Sequence, residues 1–284
     1  MAYHAPTTLD AALAALGAGG VSVLAGGTDV YPALAGQGAR TALVDLTRIA
    51  ELRGIAPRAG GGWRLGATTT WAEIAAAPLP PAFAALQQAA REVGARQIQN
   101  AGTIAGNLCN ASPAADGVPP LLVLDARVEL ASAAGKRVLA LGDFITGVRR
   151  TALRPGEIVT AVLIPPLPGA TSAFAKLGAR RYLVISIAMA AALVEVAEGR
   201  IARARIAVGA CSPVALRLGA LEKALQGRRA DRLSAARLVT PAHLDALSPI
   251  DDVRADAAYR REAAGELVRR VLSQALGGAE ADDA

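Results

Sequence analysis

Two stretches of small residues constrain this chain most: Ala25-Gly-Gly-Thr-Asp29 and the longer Gly102-Thr-Ile-Ala-Gly-Asn-Leu-Cys-Asn-Ala-Ser-Pro-Ala-Ala-Asp116. Each follows a strongly patterned segment, so each is held at the end of a structural element. A stretch that binds phosphate needs amides pointing the same way and no side chain blocking approach. Gly26-Gly27 followed by Thr28 supplies both, with a hydroxyl besides; the competing reading is a tight turn between strand and helix. The pattern is neither Gly-x-Gly-x-x-Gly nor the phosphate loop ending in Gly-Lys-Ser/Thr, so nothing supports NAD-type binding or nucleotide hydrolysis. In the longer stretch, Thr103, Gly106, Asn107, Asn110, Ser112 and Asp116 concentrate small and hydrogen-bonding groups. Buried polar groups find partners, so this stretch, expected as a long loop, either satisfies itself or wraps a polar ligand.

Around these stretches the pattern alternates. Thr7 or Thr8 caps a helix carrying Leu9, Leu13 and Leu16, and strands are expected at Val21–Leu24 and Ala42–Leu46, with a short helix at Val30–Leu34 capped by Thr28 or Asp29. This alternation favours a small α/β unit. A strand at Trp63–Ala67 leads into Thr70-Trp-Ala-Glu73, a capping box. Pro80-Pro81 opens a helix that runs to Val93 and stops at Gly94; Arg96–Asn100 is polar and leads into the long stretch. Beyond Asp116 come a helix at Val118–Asp125 and strands at Arg127–Ala131, Arg137–Ala140 and Glu157–Ile164. Pro165-Pro-Leu-Pro-Gly169 cannot continue a sheet and marks a boundary. A hairpin of Leu183–Val196 and Ile201–Val208, a helix at Ala215–Leu225 and a last helix at Asp256–Leu276 complete the pattern. The domains are thus 1–165 and 170–276, with a small acidic tail at 277–284 expected to be flexible.

Composition narrows the function. The net charge is +6, but the cations are scattered singly or in pairs, and aromatics are 3%. That argues against nucleic acid, which needs clustered charge or stacking platforms. The most apolar run, Leu183–Val194, is shorter than the ~20 residues of a membrane span, and the N-terminus lacks a signal-peptide pattern. A cytoplasmic protein is expected. Cys109 and Cys211 suit a reducing compartment and cannot form a metal cluster by themselves; Cys109 reads as a small buried filler. His4, near a flexible terminus, and His243, in a surface helix, have no acid or nucleophile nearby in sequence, so no catalytic residues and no metal ligands are assigned.

Ala25-Gly-Gly-Thr-Asp29, with Thr103-Ile-Ala-Gly-Asn107 and Ala111-Ser-Pro-Ala-Ala-Asp116, resembles the FAD-binding (medium) subunit of molybdenum hydroxylases, the group of xanthine dehydrogenase and aerobic carbon monoxide dehydrogenase. Phe174-Ala-Lys176 with Arg180-Arg181, and Ser248-Pro-Ile-Asp-Asp252 with Tyr259-Arg260, extend the likeness over essentially the whole chain. The resemblance implies an α+β architecture of the vanillyl-alcohol-oxidase (PCMH) type. Two α/β subdomains, about 1–55 and 56–165, would clasp FAD, followed by a C-terminal α+β domain. It further implies FAD contacts from Leu24, Ala25, Gly26, Gly27, Thr28 and Asp29, with Thr103, Gly106, Asn107 and Ser112 closing from the other side. Asp116 would bond the ribityl or adenosine portion, Val159 would pack on the adenosine side, and Lys176 would contact the cofactor. On the residues alone, Asp116 equally caps the helix at Val118 and Lys176 equally lies on a strand edge.

The implied function is electron transfer: FAD in this chain, a 2Fe–2S small subunit and a molybdopterin large subunit as partners, in a heterotrimer or its dimer, without membrane insertion. The alternatives are a stand-alone flavin oxidase of the same fold and a flavin-free scaffold. Two departures matter. Family members that reduce NAD often carry an acid after the Arg-Arg pair, whereas this chain has Tyr182-Leu-Val-Ile-Ser186, which puts NAD in doubt; Tyr182 would either cover the flavin or serve as a core aromatic. Two cysteines are too few for the extra iron–sulfur cluster of the benzoyl-CoA reductase branch.

Overall fold

The computed structural model describes residues 2–34, 42–181 and 183–282. The chain begins with β1 (Tyr3–His4), α1 (Leu9–Gly17), β2 (Val21–Leu24), α2 (Val30–Leu34) and β3 (Ala42–Asp45). The strands lie in the order β1-β3-β2, both pairs parallel. Parallel neighbours require crossovers, which α1 and the segment containing α2 provide. Thr8 caps α1 by accepting from the Ala11 amide, and Leu9, Ala12 and Leu13 pack against Val44, Leu46, Ile49 and Leu52. His4 is therefore on a paired strand, exposed beside Tyr3, whose hydroxyl donates to Asp45.

The second unit contains β4 (Ile55–Pro57), β5 (Trp63–Gly66), α3 (Trp71–Ala76), α4 (Ala84–Glu92), α5 (Arg96–Ala101), α6 (Ile104–Asn110) and α7 (Val118–Val123). It continues with β6 (Arg127–Ser132), β7 (Gly135–Ala140), α8 (Leu141–Phe144), β8 (Ile145–Gly147), β9 (Arg150–Thr151) and β10 (Ile158–Ile164). Its main sheet has the order β4-β5-β10-β6-β7, with all pairs antiparallel. The central β10 is buried along its length, which explains an apolar run interrupted only by Thr160, whose hydroxyl donates to the Glu129 carboxylate. Thr70 and Glu73 form the expected capping box on α3.

The third unit is an antiparallel meander of β11 (Ala170–Leu177), β12 (Ala188–Ala197), β13 (Arg200–Gly209) and β14 (Leu216–Arg217), followed by α9 (Gly219–Leu225), α10 (Arg232–Arg237) and α11 (Ala257–Asp282). Ala264, Val268, Val271, Leu272 and Ala275 form the buried stripe that seats α11 on the sheet.

Several expectations are corrected. The stretch after Gly102 is not a continuous loop: α6 forms because Thr103 caps it and Ile104 and Leu108, one turn apart, are fully buried. The polar Arg96–Asn100 stretch is helical as α5. The first strand of the expected hairpin begins at Ala188, not Leu183, whose φ of +54° breaks extended structure. The expected helix from Ala215 begins at Gly219, after β14. His243 lies in a short 3-10 turn, Pro241–Leu244, where its ring pairs with Thr240. The last helix continues past Leu276 to Asp282.

Candidate cofactor site

A cavity of about 350 Å³ lies between the first two units. One wall is the turn after β2, with Ala25, Gly26, Gly27, Thr28 and Asp29 all lining it. Leu24 lies just behind, 2% exposed. The Gly27 and Asp29 carbonyls accept from Tyr31 and Ala33, while among the described residues no protein acceptor takes the amides of Gly26, Gly27 or Thr28. Both glycines are required by shape. A Cβ on Gly26 would lie 1.8 Å from the Ala101 carbonyl oxygen; Gly27 has φ +71° and would bring a Cβ within 2.4 Å of the Tyr31 ring.

The opposite wall is α6 and what precedes it. Here the first-turn amides are already used: Ile104 donates to the Thr69 carbonyl, Ala105 to the Ala67 carbonyl and Gly106 to the Thr103 hydroxyl. What α6 offers is a side chain. Asn107 Oδ1 is buried with no hydrogen-bond partner, and is the one such side-chain atom among the described residues. Thr103, Gly106, Asn107, Cys109 and Asn110 all line the cavity, and Val159 on β10 closes it. Asn110 Nδ2 donates to Asp29 Oδ1 at 2.8 Å, joining the two walls, and Asn110 Oδ1 accepts from Arg149. Cys109 is exposed, not the buried filler expected, yet surrounding protein desolvates its thiol and pushes it up to about 12.

Ser112, Asp116 and Lys176 do not line this cavity. Ser112 lines a second cavity of about 310 Å³ between the second and third units. Asp116 and Lys176 form a buried ion pair, Nζ to Oδ2 at 2.7 Å, and Ser186 donates to Asp116 Oδ1 at 2.6 Å. Burial pushes the Asp116 carboxyl up, against the opposing pull of the Lys176 ammonium and the Ser186 hydroxyl. Asp116 therefore does not cap α7, whose cap is Gly117 without a side-chain bond. Tyr182 lies outside the described residues.

Comparison with known proteins decides the family. Residues 1–167 match the model of the FAD binding domain in molybdopterin dehydrogenase, and residues 173–275 match the CO dehydrogenase flavoprotein C-terminal domain. The chain belongs to the FAD-binding subunits of the molybdenum hydroxylases. It is 30% identical over 282 residues to the xanthine dehydrogenase FAD-binding subunit of Escherichia coli, covering 98% of this chain and 96% of that one. With the carbon monoxide dehydrogenase medium chain of Hydrogenophaga pseudoflava it shares 29% identity, at 96% coverage of each chain. Among solved structures it superposes on quinoline 2-oxidoreductase from Pseudomonas putida 86 with a TM-score of 0.88, 29% identity and 98% coverage of each chain. The fold is thus the PCMH-type FAD-binding fold with its C-terminal domain, and the chain is an oxidoreductase subunit.

The residues of this flavoprotein subunit suit FAD. Open amides on the turn after β2 match a diphosphate. The Asn107 and Asn110 side chains line the opposite wall, and FAD carries hydroxyls and ring groups that amide side chains can bond. Sequence reasoning missed Trp71, Ile98 and Glu157 in the cavity wall, and gave Gly102, which opens the long stretch, no role of its own; of the three missed, only Trp71, the first residue of a capped helix, carried a local signal. Ser186 was missed as well, and its sequence neighbours give no hint of it. Among the described residues no group of acidic, histidine and cysteine side chains could hold a metal ion, and no helix is long and apolar enough to cross a membrane.

Proposed function

We propose that this chain is the FAD-carrying electron-transfer subunit of a molybdenum-containing hydroxylase, taking electrons from a 2Fe–2S subunit and passing them to an external acceptor other than NAD. The cleft between the first two units, walled on one side by the amides of Gly26, Gly27 and Thr28, partnerless among the described residues, carries the cofactor reading, because free amides beside an open cleft match a diphosphate. The amides from Leu24 to Asp29 take the diphosphate and Asn107 takes a hydroxyl or ring N–H, with Thr103 and Gly106 leaving room beside it. Val159 packs on the adenosine side, while Ser112, Asp116 and Lys176 serve the far end of the cofactor. Bound FAD supplies a centre that passes electrons between one-electron and two-electron partners.

The subunit reading draws on relatives that are themselves parts of larger enzymes, such as the 6-hydroxypseudooxynicotine dehydrogenase complex subunit alpha of Paenarthrobacter nicotinovorans, 31% identical over 281 residues. The 2Fe–2S and molybdopterin partners complete a heterotrimer or its dimer, in the cytoplasm. Against NAD stands the stretch after Arg181, where NAD-reducing members of the family often carry an acid and this chain has Leu183 and Ile185, both 53% exposed. Affinity capture of the chain from its native source is expected to bring both partners, and the captured complex to reduce an artificial dye but not NAD⁺. A chain recovered alone with full turnover would sink the subunit reading, and NAD⁺ reduction at the dye rate would sink the acceptor reading.

A further inference from the structure

The closing motif, Ser248-Pro-Ile-Asp-Asp252 with Tyr259-Arg260, stands outside the first cavity, yet its arginine is 3% exposed. Arg260 Nη1 donates to the Ile187 carbonyl at 2.6 Å and the Ala210 carbonyl at 3.2 Å, while Nη2 donates to Asp252 Oδ1 at 2.7 Å. Asp252 accepts in turn from the Arg254 amide at 2.8 Å and the Arg254 guanidinium at 3.0 Å. A planar guanidinium with a fixed fork of donors sets the direction of each acceptor it binds. Arg260 thus ties the start of β12 to the end of β13.

Those two strand ends are where the C-terminal domain reaches the Ser112–Asp116 stretch. Ser186, just before Ile187, donates to Asp116 Oδ1 at 2.6 Å, and the Ala210 amide donates to the Pro113 carbonyl at 2.9 Å. Ala210 has φ +62°, a conformation that needs outside support. The Ile187 amide also donates to the Leu177 carbonyl at 2.7 Å, fixing the residue after Lys176. Lys176 completes the circuit with its ion pair to Asp116 and a bond to the Glu92 carbonyl at 3.2 Å.

We propose that Arg260 and Ser186 are positioning residues for the flavin: Arg260 clamps the ends of β12 and β13, and Ser186, from one of those ends, holds Asp116 and so sets how the Asp116–Lys176 pair meets the cofactor. This rests on the reading that the pair contacts FAD. Ser186 draws one carboxylate oxygen away from Lys176; without it the carboxylate turns fully onto the ammonium and screens it. A screened Lys176 stabilises the anionic reduced flavin less, so the midpoint potential falls.

The test compares the FAD-loaded full chain with Ser186→Ala, Arg260→Lys and Asp116→Asn, reading FAD dissociation constant, midpoint potential and melting temperature. Ser186→Ala is expected to weaken FAD binding roughly tenfold, the scale of a hydrogen bond to a charged group, and to lower the potential, while the FAD-free chain, which loses the same buried bond, melts a few degrees lower. Arg260→Lys is expected to lower the potential too; if it does not fold, Asp252→Asn, which keeps both carbonyl bonds, takes its place. Asp116→Asn is expected to raise the potential, because Lys176 loses its counter-charge. If Asp116→Asn shifts the potential while Ser186→Ala leaves potential and affinity at wild-type values, the positioning role is overturned and the pair keeps its place at the flavin. Should Asp116→Asn also leave them unchanged, both the positioning role and the reading beneath it fall.

Discussion

The two walls of the candidate cofactor cleft offer a ligand different groups. The turn after β2 presents bare backbone: its glycines admit no side chain, and the amides of Gly26, Gly27 and Thr28 have no protein acceptor among the described residues. The α6 wall has spent its first-turn amides on Thr69, Ala67 and the Thr103 hydroxyl, and presents the side chains of Asn107 and Asn110 instead. The difference follows from where each wall is anchored. The turn sits at the edge of a small parallel sheet, while α6 is sewn into the second unit by Thr69 and Ala67, so only a side chain is left to face the cleft. A backbone wall is intolerant of added bulk, and a side-chain wall is sensitive to the loss of a single atom.

The largest effect should come from bulk on the backbone wall. In Gly26→Val the new Cβ would collide with the Ala101 carbonyl, a backbone atom that cannot swing away. Overpacking of this kind costs about 1–3 kcal/mol or more, and it pries apart the walls themselves. The chain should purify without flavin absorbance and melt several degrees lower; full FAD retention would show that the walls do not need to touch. The side-chain wall should respond with opposite signs in its two states. Asn107→Ala removes an orphaned buried oxygen, so the FAD-free chain should melt no lower than wild type. FAD affinity should fall about tenfold, the worth of a bond of about 1.5 kcal/mol. A loss of stability without loss of affinity, measured by melting and by flavin fluorescence titration, would make Asn107 a packing residue and erase the contrast.

Much of this was legible in the sequence where the governing interactions are local. Thr8 and the Thr70–Glu73 box cap the helices their spacing foretold, and Val21–Leu24 is a strand with the boundaries its pattern gave. Long-range choices were not legible. β10 inserts between β5 and β6 although it follows both in the chain, and no local pattern chooses its neighbours. α6 was hidden because Gly106, Asn107 and Asn110 are poor helix formers, outweighed by the burial of Ile104 and Leu108. In the site, the glycine turn announced itself by composition. The Asn110–Asp29 bridge and the Ser186 contact join residues 81 and 70 positions apart, so only the folded chain reveals them.

The smallest expected effect is a change in rate rather than in stability, and it tests the side-chain wall without altering it. Cys109 is exposed and lines the cavity, whereas Cys211 is fully buried beneath α11 with its sulfur near the Arg260 carbonyl. Thiolate is the reactive form, and the Cys109 thiol is pushed up to about 12, so alkylation at neutral pH should be slow. The rate should climb about tenfold per pH unit between pH 7 and 10, as the thiolate fraction does well below the pKa. One cysteine per chain should react in the FAD-free protein, with Cys211 as the silent internal control. FAD filling the cleft would cover the sulfur, and labelling should slow by up to about a hundredfold, the scale on which a hundredfold excess over Kd depletes the open form. Mass spectrometry of the labelled chain decides it: equal labelling of Cys109 with and without FAD would place the cofactor somewhere other than between these two walls.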